Sequence, residues 1–144
     1  FEIAQIEKEK ESKRLTALRD YFIKKLHEKI SHIILNGDTD IRLPNNVNVS
    51  ILWIEGESAL LYLDEKGVSC ATGSACTSNS LDPSHVIMAL GRPYEYAHGS
   101  LRFSLGKITT KKDLDYVLKV LPPIVKKLRE LSPVNFEDLS KQIA

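Results

Sequence analysis

Two cysteines, Cys70 and Cys76, are all that this 144-residue chain has. That is too few for a disulfide scaffold, and a chain of this length has no need of one. Their C-x5-C spacing, with no His–Cys cluster beside it, excludes the usual zinc frameworks. A reducing, cytoplasmic compartment is therefore expected. Charge of one sign is also missing: the formal net charge is +1, which excludes a strong general attraction to nucleic acid or to an acidic membrane. No apolar run approaches the length of a bilayer span, and no secretory leader opens the chain. Internal repeats and low-complexity tracts are absent. The first residue is Phe1 rather than methionine, set in a helical pattern that is already running, so a cut inside a longer protein is expected.

What remains is an ordinary globular balance, 42% apolar and 27% charged, enough for one domain with a real core. Leu15, Leu18, Phe22, Leu26 and Ile30 recur at spacings of three and four, which predicts one long helix over residues 1–33. Around Glu7 to Arg14 the segment is nearly all polar and offers few anchors. Asn36-Gly37-Asp38 is a turn signal. Alternation of Val47, Val49 and Ile51 with Asn48 and Ser50 predicts a strand over residues 46–54. A short helix over 57–66 carries Leu60, Leu61 and Leu63 and closes at Gly67. Residues 68–71 read as a short strand.

Asp82 as N-cap, Pro83 at the first helical position and a closing Gly91 predict the next helix. Leu101, Phe103 and Leu105 alternate with Arg102 and Ser104 as another strand. Thr110 and Asp113 form a variant capping box. From there Leu114, Val117, Leu121, Ile124, Leu128 and Leu131 predict a long amphipathic helix with a kink at Pro122-Pro123. A last short helix is expected over 135–143. The fold class is α/β, of the α+β kind: a small, mainly antiparallel sheet covered by helices.

The stretch Thr72-Gly73-Ser74-Ala75-Cys76-Thr77-Ser78-Asn79-Ser80 has no side chain able to anchor it in a core, so a mobile loop is expected over 72–80. A lone cysteine is more often a small buried hydrophobe. Here the neighbours argue for an exposed thiol, a candidate nucleophile wherever it ionises. Cys70, beside Val68, reads as structural. Arg102 offers a planar fork suited to a carboxylate, against the commoner role of a surface ion pair. His27, His32 and His85 read as helix-surface residues.

Gly73-Ser74-Ala75-Cys76-Thr77-Ser78, followed by Leu81-Asp82-Pro83-Ser84, resembles the active-site loop of NifS/IscS-class cysteine desulfurases. Further blocks agree in the same order over about residues 15–133. These are Leu43-Pro44-Asn45-Asn46-Val47-Asn48-Val49-Ser50 with Glu55-Gly56-Glu57-Ser58, then Ala97-His98-Gly99-Ser100-Leu101-Arg102-Phe103-Ser104-Leu105-Gly106, and finally Leu128-Arg129-Glu130-Leu131-Ser132-Pro133.

The resemblance implies the C-terminal small domain of a fold-type I enzyme dependent on pyridoxal 5′-phosphate. It divides the chain into part of a linking helix (1–35), the small domain (36–133) and a tail helix (134–144). It further implies that L-cysteine becomes L-alanine while a persulfide forms on Cys76. Gly73, Ser74, Ala75, Thr77 and Ser78 make up the loop that carries that thiol, and Arg102 binds the substrate carboxylate. Asn48 and His98 lie in matching blocks without an assignable role.

The family's Schiff-base lysine follows a histidine, and no His-Lys pair occurs here. The expectation is that a large, cofactor-binding domain lies outside this chain and that the chain alone is inactive. The implied partners are that domain, a second copy in a homodimer, and an iron–sulfur scaffold or other sulfur acceptor. Cys76 is also a candidate ligand of a transient [2Fe–2S] cluster. Two other readings stay open: selenocysteine lyase activity on the same scaffold, and a non-catalytic sulfur-relay or scaffold-binding module.

Overall fold

The structure, a computed structural model, describes residues 2–73 and 84–132, with only the backbone of Ile3 and Ala4. Its elements run α1 (Glu2–Lys29), β1 (Ile33–Leu35), β2 (Asn46–Ile51), α2 (Gly56–Glu65), α3 (His85–Ala89), α4 (Tyr94–His98), β3 (Ser100–Ser104) and α5 (Lys111–Leu131). The three strands form one antiparallel sheet in the order β1-β2-β3.

Strand alternation decides what each face of the sheet does. Val47, Val49 and Ile51 of β2, with Leu101 and Phe103 of β3, point into the core. There they meet Leu15, Phe22, Leu26 and Ile30 of α1, and Leu114, Val117, Leu118, Leu121, Ile124 and Val125 of α5. Phe22 and Phe103 pack edge to face with centroids 5.3 Å apart, a geometry favoured by the ring quadrupoles. The opposite face carries Asn48, Ser50, Ser100 and Arg102.

The ends of the helices are held by polar groups. Thr110 and Asp113 form the expected capping box at the start of α5. At the end of α2, Gly67 N–H reaches Asp64 O (2.8 Å) and Val68 N–H reaches Leu63 O (2.9 Å), a Schellman closure. The polar part of α1 is tied down after all. Arg14 pairs with Glu11 and donates to the carbonyls of Thr109 (2.7 Å), Gly106 (3.0 Å) and Lys107 (3.0 Å), which fixes the turn that follows β3.

Several expectations need correction. α1 ends at Lys29, not at residue 33; His32 takes a left-handed backbone (φ 53°) and the β-branched Ile33 and Ile34 enter β1. His32 is therefore a turn residue, not a helix-surface one. β2 stops at Ile51 because the chain turns through Trp53 (φ 65°). Residues 68–71 contribute a single bridge at Ala71 rather than a strand. The one-turn helix α4 was not expected. α5 is the expected long helix, with Pro122 and Pro123 inside it. The capping pair Asp82-Pro83, the loop from Ser74 and the helix expected over 135–143 lie outside the described residues.

Gly99 shows how tightly β2 and β3 are joined. Ile51 N–H donates to Gly99 O (2.9 Å), and a Cβ at position 99 would run into the Ile51 carbonyl oxygen. Since that neighbour is backbone, it has little room to yield. Gly99→Ala is expected to destabilise the protein by about 3 kcal/mol or more, at the upper end for overpacking. Chemical denaturation checks this; an unchanged midpoint would show that the two segments part easily.

Candidate functional site

β3 sets the site by alternation. With Leu101 and Phe103 committed to the core, Arg102 emerges on the other face and is exposed. The register places Asn48 of β2 directly across from it. On its other side the backbone of Arg102 pairs with Ala71, through Arg102 N–H to Ala71 O (2.7 Å) and Ala71 N–H to Arg102 O (3.0 Å). One residue on, Thr72 Oγ1 donates to Ser100 O (2.7 Å). The chain is thus pinned to the edge of β3 just before Gly73, which takes a left-handed conformation (φ 53°) that few other residues adopt without strain.

A cleft of about 280 Å³ opens here, lined by Asn48, Thr72, Gly73, Ser84, Ile87 and Arg102 among others. Among the described residues no carboxylate lines it, and the Arg102 guanidinium has no hydrogen-bonding or ionic partner. A cleft whose described lining offers a cation, an amide and hydroxyls, with Ile87 in its wall, suits a small organic anion.

Gly73 and Ser84 both line the cleft, and they are the described residues on either side of 74–83. Cys76, together with Ser74, Ala75, Thr77 and Ser78, lies outside the described residues.

Cys70 behaves as expected of a structural thiol. It is half-buried against the core, and burial, followed by the nearby Asp64 carboxylate, pushes its pKa up to about 11 from 9.0. Two units leave about 100-fold less thiolate below pH 9 than in an unperturbed thiol. Alkylation of Cys70 at pH 8 should therefore be slower than that of a free cysteine by roughly that factor. Peptide-level iodoacetamide kinetics check this, and a rate within threefold of the free thiol would contradict it.

The other histidines stand apart. His98 lies at the end of α4, with Nδ1 3.7 Å from Glu55 Oε2 and its ring edge-on to Tyr94 at 4.5 Å. It lines a separate, more apolar cleft with Trp53, Tyr62 and Leu131. His27 is exposed, within 2.9 Å of the Ile23 carbonyl through Nδ1, and His85 is exposed on α3. Among the described residues no group of three His, Cys, Asp or Glu stands close enough to hold a metal ion. No described helix is long and apolar enough to cross a membrane.

Sequence reasoning missed two contributors. Thr72, read only as the start of a loop, fastens that start to β3. Asn36, read as part of a turn, is almost fully buried and bonds into the polar face of the sheet. An asparagine right after the apolar Ile33-Ile34-Leu35 run was the only available sign of an inward-facing amide.

The family described as aminotransferase class-V matches residues 2–117. A cysteine desulfurase IscS of Dictyoglomus turgidum is 55% identical over 95% of this chain and 35% of its own length. Those of Clostridium botulinum and Methanosarcina thermophila are 51% and 53% identical, over 98% and 93% of this chain and 36% and 33% of their own lengths. A solved NifS-like protein superposes with a TM-score of 0.75 and 28% identity, over 88% of this chain and 31% of that one. The NifS-like protein from Rickettsia africae shares the fold at a TM-score of 0.68 and 23% identity, over 80% and 29%. The chain spans about a third of the length of the curated relatives it matches. A family match over residues 2–117, which takes in Gly73, Cys76 and Arg102, leads to one assignment: this chain belongs to the aminotransferase class-V family.

Proposed function

We propose that these residues form the small, sulfur-accepting domain of a cysteine desulfurase, with Cys76 as the acceptor and Arg102 as the anchor for the substrate carboxylate. In this reading residues 1–35 belong to a linking helix, 36–133 to the small domain and 134–144 to a tail. The observation that carries the reading is the presence of both Gly73 and Ser84, the described residues that flank 74–83, in the wall of the Arg102 cleft.

The cleft does not by itself fit pyridoxal phosphate. Among the described residues no lysine lines it to capture the cofactor's aldehyde, and no aromatic ring lines it to stack on the pyridine. The cofactor, which supplies an electron sink when bound, belongs in this proposal to chain outside these residues. The residues here do two things. Arg102 orients L-cysteine by its carboxylate, and the Cys76 thiolate attacks the substrate sulfur. A sulfur–sulfur bond forms as the carbon–sulfur bond breaks. The electron pair of the broken bond stays with carbon, which takes a proton and departs as L-alanine. The persulfide on Cys76 then passes its outer sulfur to an acceptor, an iron–sulfur scaffold in the leading case, and a short tether suits a group with two destinations. A nascent [2Fe–2S] cluster, as cargo, would find one ligand in Cys76 and need its others from the acceptor. The working form is a cytoplasmic homodimer.

The test is a single turnover of the full-length protein with L-cysteine, followed by peptide mass analysis. A gain of one sulfur atom on the Cys76 peptide is expected. Sulfur released with that peptide unmodified throughout would overturn the assignment.

A further inference from the structure

We propose that Asn48 is a second ligand for the substrate carboxylate, and that the buried Asn36 is the positioning residue that turns the Asn48 amide toward it. This rests on the reading of the Arg102 cleft as a carboxylate site and extends it by two residues.

The register supplies the placement. Leu35 pairs with Val49, and Asn36 N–H continues that ladder by donating to Asn48 O (2.9 Å). Asn48 pairs with Arg102, and Arg102 with Ala71. Asn36, Asn48, Arg102 and Ala71 therefore form one row across four segments, on the face away from the core. Residues directly opposite in antiparallel strands stand about 4.5–5.5 Å apart at Cβ. The Asn48 amide and the Arg102 guanidinium are thus neighbours in one cleft, and both line it.

The side-chain bonds decide which end of Asn48 faces the cleft. Asn36 is 5% exposed, and its Nδ2 donates to Asn48 Oδ1 (2.9 Å) and to Ser50 Oγ (2.8 Å). Ser50 is fully buried, so this anchor does not move. With Oδ1 engaged, Asn48 is left with Nδ2, a two-proton donor that has no partner among the described residues. Reversing the Asn36 amide would strand both of its N–H groups where at present one oxygen, Oδ1, lacks a partner. A buried orphan carbonyl is the more tolerable of the two. The recorded orientation is thus the favoured one, and it presents an N–H donor beside the guanidinium. An arginine fork with an added amide donor offers three N–H groups to one carboxylate, all with the polarity an anion needs. Without Asn36, the Asn48 amide is free to turn over and show the anion its oxygen.

Equilibrium titration of the full-length, cofactor-loaded protein with L-alanine tests this, with L-alaninamide as the uncharged control. Asn48→Asp, which sets a carboxylate against the anion, should weaken L-alanine about 30-fold and L-alaninamide less than about twofold. Asn48→Ala should weaken L-alanine about tenfold, the low end for the loss of one hydrogen bond to a charged group, as suits an open cleft. Asn36→Ala should match it, and the double variant should be no worse than either single one, since Asn36 acts through Asn48. For L-cysteine turnover the same variants should raise KM more than they lower kcat. Arg102→Gln separates the two ideas. If it weakens L-alanine tenfold or more while Asn48→Asp stays within twofold of wild type, Asn48 is no ligand although the cleft is a carboxylate site. If Arg102→Gln is silent as well, the carboxylate reading of the cleft falls, and Asn48 with it. Additive losses in the double variant would remove the positioning role of Asn36.

Discussion

Cys76→Ser in the full-length protein is expected to lower sulfur release from L-cysteine by roughly 10³-fold or more, the scale seen when a covalent nucleophile is removed. A hydroxyl ionises too weakly at neutral pH to attack sulfur, and no sulfur–sulfur bond results even if it did. Binding of L-cysteine should survive, because Arg102 and Asn48 are untouched and Ala71 and Thr72 remain pinned to Arg102 and Ser100. The variant also separates cysteine from selenocysteine chemistry. Selenium leaves carbon more readily and depends less on a thiol acceptor, so selenide release should persist if the scaffold acts as a selenocysteine lyase. Sulfur release above a tenth of wild type would place the acceptor elsewhere. Within this chain that leaves only Cys70, whose pKa near 11 makes it a poor thiolate. The readouts are alanine formed per turnover and persulfide per peptide.

The features most legible in the sequence are those that local rules determine. The Thr110–Asp113 cap, the spacing from Leu114 to Leu128, and the closures at Gly67 and Gly91 all depend on residues within one or two turns of each other. Arg102 was legible for a related reason: a strand with Leu101, Phe103 and Leu105 inside leaves its even position outside.

Short elements were hidden. Ile33 and Ile34 continue the helical spacing from Leu26 and Ile30, so three residues of strand read as the end of a helix. Only the left-handed backbone at His32 separates them. α4 is five residues long, too short for any periodicity to register, and it opens after Pro93 with no side-chain cap. The site itself needs pairing information that no local rule contains. Ala71 meets Arg102 across 31 positions, and Asn36 meets Ser50 across a turn of unpredictable register. A buried asparagine and a turn asparagine look the same in one sequence.

Arg102 gives the second large expected effect. Arg102→Gln should lower kcat/KM for L-cysteine by about 10²-fold, because hydrogen bonds to a charged partner contribute about 1.5–3 kcal/mol and each 1.4 kcal/mol is a factor of ten. The fork makes two such bonds, but the residue is exposed and the interaction partly screened, so the middle of the range applies. Arg102→Lys keeps the charge and loses the planar pair of donors; a loss of about tenfold is expected, with stronger salt dependence than in the wild type. The effect should not pass through stability. Arg102 makes no side-chain hydrogen bond or ion pair among the described residues, and its pairing with Asn48 and Ala71 is through backbone groups that every substitution except proline retains. The unfolding midpoints of both variants should therefore sit on that of the wild type while affinity falls. A guanidinium held for structure would reverse that pattern, with a lowered midpoint and an unchanged KM, and the carboxylate role would then have to be given up.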